Sequence, residues 1–236
     1  MALLSVQSWS VHRSKLAWHR TAGLATFVVL PLFAAAGPLA LQGMAMLWRL
    51  QADPFHAEFG ARLVAADMIA GPSVVAMVVY AFLSRRRVMA HSSAMLATAL
   101  LVLPPITGRL LPAIPGFPRD GWAGLGGFRL SFHLAEGFTL VLAVLLATRM
   151  MDARIGFGLA AAATAAQMIG FEVVPNISWW NGWVIVLTDL PAGWMALAAG
   201  CISVSLLAWA WKKVPPRKTL RDPAASHHGG PAPVSI

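Results

Sequence analysis

What limits this chain most is a recurrence: six apolar stretches, each close to the ~20 residues a helix needs to cross a ~30 Å hydrocarbon layer. They fall at 24–48, 63–83, 88–106, 128–147, 155–174 and 191–211, and each is long enough to span. The alternative way to satisfy backbone groups in lipid, a closed β-barrel, shows as ~10-residue alternating strands, and no such pattern is present. Charge agrees: 11% of the 236 residues are charged and 58% hydrophobic, whereas a soluble domain carries roughly 25% charged residues. These features predict an all-α integral membrane protein, a six-helix bundle over 23–212, preceded by a segment at 1–22 and followed by a disordered tail at 213–236.

The net charge of +9 does not point to nucleic acid, because the basic residues flank the apolar runs and form no stripe on a soluble face. It sets topology instead. Thirteen Lys and Arg fall at the N-terminal segment, the Arg85–Arg87 turn, the Arg149–Arg154 link and the tail, against five at the other junctions. Basic flanks stay cytoplasmic, so both termini are expected inside a bacterial inner membrane, with anionic headgroups as the partner of the basic end. The first apolar run exceeds the ~7–15 residues of a signal-peptide core, which predicts an uncleaved first span. The ten tryptophans fit the same map as interfacial anchors at both faces. Cys201 reads as a small packing residue, and a lone cysteine excludes an intramolecular disulfide.

Ionisable residues inside apolar spans are costly, which makes them the main functional clue. Asp67, Arg109, Arg129, His133, Glu136, Glu172 and Asp189 form a layer toward the expected outer face. Arg129, His133 and Glu136 step by four and three residues and so share one helix face. Three readings are open for this layer: an ion-pair network, a metal site built on the His133–Glu136 spacing, and a cavity for a small ligand or protons. A second layer near the inner face holds His19, Arg20, Arg85, Arg86, Arg87 and His91. Its histidines suit either anionic lipid headgroups or axial ligation of a b-type haem. Prolines interrupt three spans, at Pro31 and Pro38, Pro72, and Pro104–Pro105, which favours a cavity over a tightly packed scaffold. Gly158, Ala162, Ala166 and Gly170 recur at four-residue spacing as a packing face for a helix of this chain or of a second copy.

The His19-Arg20-x-x-Gly23 entry and the stretch from Arg86 through His91 to Arg109 resemble a family of bacterial predicted multi-pass membrane proteins of unknown function. Ser92 and Ser93 stand where that family usually carries Arg after its second histidine. The resemblance implies a compact bundle and no activity. G-x-S-x-G, HExxH and P-loop patterns are absent, which argues against a hydrolase. The expectation is therefore a non-enzymatic protein that binds or moves a small ligand, proton or metal ion through its outer polar cavity. A haem-binding redox protein and an assembly subunit of a larger complex are the alternatives, and homo- or hetero-oligomers remain open.

Overall fold

A computed structural model describes residues 5, 6, 9, 12, 13 and 15–214. The tail beyond 214, including its expected disorder, lies outside the described residues. Every element there is helical: α1 Leu16–Leu24, α2 Thr26–Arg49, α3 Pro54–Leu83, α4 Val88–Leu100, α5 Leu103–Leu110, α6 Phe128–Arg149, α7 Arg154–Val173, α8 Trp180–Asp189 and α9 Ala192–Lys213, with short 3-10 turns between. They make six stretches long and apolar enough to cross a membrane: Ala17–Arg49, Pro54–Leu83, Val88–Ala113, Leu125–Arg149, Met151–Asn176 and Ala192–Lys213. The chain is a multi-pass membrane protein. One end of the bundle, here the terminal end, gathers residue 15, the turn at 84–87, the 150–153 link and residue 214; the opposite end is the distal end.

Local chemistry explains the departures from the expected boundaries. The second span starts nine residues earlier than the apolar run, because Asp53 caps it in an extended conformation, accepts from the His56 amide at 2.9 Å, and is followed by Pro54. That amide bond, reinforced by the His56 ring, holds the Asp53 carboxyl below its ordinary value. Arg62, expected in a loop, is thereby on the helix. The third span is broken at Leu101–Val102, just before Pro104 and Pro105, which cannot donate to the carbonyls of Leu100 and Leu101. Trp180–Asp189, expected to be a loop, is helix α8.

Packing divides the bundle around α3. On one side α2 and α9 run antiparallel, with Gly200 set against the Pro31 carbonyl and Ala35, and with Leu30, Val78, Phe82, Leu207 and Ala210 filling their junction with α3. On the other side α4, α6 and α7 enclose a second core of Met77, Leu100, Ala143, Phe157 and Ala160. α4 and α7 approach closely, so that a Cβ on Gly156 would lie 2.6 Å from the Ala94 amide nitrogen.

The expected small-residue stripe of α7 is used only in part. Gly170 meets Ile69, but Gly158 faces open space and Ala162 is exposed, and Gly156 supplies the close approach instead. Cys201 is exposed in a groove between α2 and α9, not packed away. Trp180 is likewise no interfacial anchor: it is 5% exposed, stacks on Trp183 and donates from Nε1 to the Ala61 carbonyl at 3.2 Å.

Candidate functional site

The distal ends of α3, α6 and α7 converge because a glycine turn aims α6. Gly124, Gly126 and Gly127 all adopt positive φ, and a Cβ on Gly127 would strike the Pro118 carbonyl, so the chain enters α6 at an angle only glycine allows. The first two turns of α6 then carry Arg129 and His133 to Glu172, near the end of α7.

Glu172 is the hub. Its Oε1 accepts from Arg129 Nε at 2.8 Å and contacts His133 Nε2 at 2.7 Å, while its Oε2 pairs with Arg129 Nη2 and lies 3.4 Å from Arg62 Nη1. Arg62 also donates to the Phe171 carbonyl and lies 3.9 Å from Glu58. A cluster of stacked and edge-on rings, Phe55, Phe59, Phe128, Phe132 and Phe171, adjoins these charges, and Trp122 stacks on His133 at 5.3 Å between centroids. A network with this many mutual partners locks three helix ends.

One turn deeper the environment changes. Glu136 is 2% exposed, and its Oε2 has no hydrogen-bond partner among the described residues. Asp67 on α3 is close enough to interact with it electrostatically but is accessible from outside the bundle. Arg109, the cationic counterpart of Asp67, donates to the Pro105 carbonyl at 3.1 Å. The antiparallel register set by the His133–Glu172 contact brings Glu136 within about a turn of Gln167, and Thr139 within about a turn of Thr164. Both threonines are fully buried with unpartnered hydroxyls among the described residues. Gly108 of α5 approaches Ser131 and Ala135 of α6, so Pro104 and Pro105 lie at about the depth of Glu136 and the break at Leu101–Val102 about a turn further in. The interior of the α3–α7 half thus contains a polar column running inward from Glu136.

The expected outer layer therefore separates into three groups. Arg129, His133 and Glu172 are joined with Arg62 and Glu58, which the sequence reading passed over; Asp67, Glu136 and Arg109 form the deeper group. Asp189 stands apart on α8, paired with Arg49 of α2 at 2.7 Å. The His133–Glu136 metal reading meets a competing bond, since His133 Nε2 is engaged by Glu172. Among the described residues no group of three or more His, Cys, Asp or Glu could hold a metal ion.

At the terminal end, His19 and His91 do come together, with ring centroids 6.3 Å apart and planes at 83°. His91 Nδ1 lies 2.8 Å from the Ala81 carbonyl, so that nitrogen carries the proton. Arg85 lies over the Trp211 ring at 4.2 Å and donates to the Trp211 carbonyl at 2.9 Å; burial, with Arg86 beside it, pulls its guanidinium below the ordinary value. Compared with known proteins, the chain matches no family model, no curated protein and no solved structure.

Proposed function

We propose that this chain is a bacterial inner-membrane protein, with both termini cytoplasmic, that takes up protons from the distal side and passes them along the polar column of its α3–α7 half. The observation that carries the reading is Glu136: a carboxyl group at span depth, 2% exposed, with one oxygen unpartnered among the described residues. Intramembrane ionisable groups that face the bundle interior mark ion pathways and proton relays. Asp67, at the bundle surface and electrostatically linked to Glu136, supplies an entry group. Buried hydroxyls at Thr139 and Thr164, and carbonyls freed by Pro104 and Pro105, offer further stations for water or a proton. Orientation follows the excess of basic residues at the terminal end.

The test is proton flux into liposomes holding the purified protein and a pH-sensitive dye, driven by a potassium diffusion potential. Wild-type protein should acidify the lumen faster than protein-free vesicles, and Glu136→Gln should abolish the difference while retaining the thermal unfolding midpoint. Equal flux for the two proteins, or no flux above empty vesicles, overturns the reading. Reporter fusions after residue 214 and within 112–118 should report opposite sides of the membrane.

A second reading is favoured by the paired imidazoles at the terminal end, where the Ala81 carbonyl fixes one ring nitrogen of His91 as a donor and leaves the other to ligate. There the chain would hold a b-type haem between His19 and His91. A Soret band that disappears in His91→Leu supports it, and colourless protein from haem-supplemented cells excludes it.

A further inference from the structure

A cleft of about 460 Å³ opens at the distal end, beyond the charged hub, between the start of α3 and the glycine turn that leads into α6. Glu58 and Arg129 stand in its lining, with Trp122 and Phe59 as aromatic walls and Gly121 and Gly124 at its edge. We propose that this cleft binds a zwitterion: a primary ammonium held by Glu58 and an anionic group, carboxylate or phosphate, held by Arg129.

The charges decide the class. Glu58 is half exposed, and its one ion-pair contact among the described residues is a long one, 3.9 Å from Arg62, so its carboxylate is available to a cation. Arg129 commits Nε and Nη2 to Glu172, while Nη1 makes no hydrogen bond among the described residues. Glu58 and Arg129 feel one another electrostatically without closing an ion pair, which leaves room between them for a ligand that completes both. A lone anion would be repelled by Glu58 and Glu172, and a lone cation by Arg129 and Arg62; a molecule carrying both charges meets a complement at each end. Arg129 lies 5.5 Å from the Trp122 ring centroid, so the indole holds the guanidinium against the cleft and covers the ligand's short carbon linker.

The same chemistry occurs in a free α-amino acid and in a phosphoethanolamine lipid headgroup. The cleft is at the end of the spans, within reach of both. It uses none of Glu136, Asp67 or the polar column, so the proposal stands or falls separately from proton movement.

The experiment is calorimetric titration of the detergent-solubilised full chain with L-alanine and with phosphoethanolamine, using acetate and ethylamine as single-charge controls. In parallel, Trp emission is read in nanodiscs of phosphatidylcholine with and without phosphatidylethanolamine. Either zwitterion should bind at least tenfold more tightly than both controls, and Glu58→Gln, at an exposed position, should weaken it at least tenfold without lowering the unfolding midpoint. Binding of the free molecules assigns a soluble ligand, whereas a Glu58-dependent emission change seen only with phosphatidylethanolamine assigns the lipid; either supports the cleft. Controls that bind as well as the zwitterions, loss-free binding in Glu58→Gln, or no response in any arm overturns it.

Discussion

Glu172 shows how much one carboxylate can organise, since Arg62, Arg129 and His133 all spend donors on it and Asn176 donates to its backbone carbonyl at 2.6 Å. Removing its charge leaves two guanidiniums facing each other. Breaking a fully buried pair costs ~3–5 kcal/mol; with the Glu172 side chain 26% exposed, we expect Glu172→Gln to cost about 2 kcal/mol, read as a lowered midpoint in detergent. Asp53 makes a pH prediction. Its folded carboxyl titrates below the ordinary value of 3.8, so its stabilisation of the α3 start is complete above that value and is lost as pH falls through the lower, folded one. Amide exchange at His56 and Ala57, corrected for its intrinsic pH dependence, should quicken in that acid window. The chemistry of the hub was legible in sequence because spacing put Arg129 and His133 on one face. Its partner Arg62 was not, hidden by the assumption that apolarity marks where a helix begins; nor was the separation of Asp189, which shares only depth with Glu172.

Among the elements, the apolar runs located all six crossings, since lipid leaves the backbone no other solvent-free solution of that length. What they missed is governed by caps and aromatics. Asp53-Pro54 is a helix start in the sequence itself, outvoted by the charges at 56–62. Helix α8 is shorter than a span and rich in tryptophan, a composition that also suits an interfacial loop, and only its packing on Ala61 and Val64 distinguishes the two. Two substitutions probe the elements directly. Gly156→Ala should force α4 from α7 and cost about 1–3 kcal/mol, the overpacking range, seen as a lower unfolding midpoint. Replacing Pro104 and Pro105 together by alanine restores two amides that can bond to Leu100 and Leu101, so those new amides should be protected in hydrogen exchange and the break at 101–102 should close.

As a whole, the molecule keeps the charged hub and the polar column in the α3–α7 half, while α2 and α9 present mostly apolar sides to one another and to lipid. Lipid tails are as apolar as leucine, so the α2–α9 pair is held by fit more than by transfer from water. Leu207→Ala, at a fully buried position, should therefore cost about 2 kcal/mol, the low end for such truncations in soluble cores, as a midpoint shift in detergent. The pairing of α2 with α9 also bears on biogenesis. Gln42 of α2 donates to the Leu190 carbonyl, its partner 148 residues later in the chain. At ~5–20 residues per second of synthesis, the first span waits on the order of 7–30 s for the strand of sequence that covers it. Throughout that interval the first span has α3 beside it but its α9 side uncovered, with an amide in the bilayer, the stage at which a membrane chaperone or a second nascent chain has its opening.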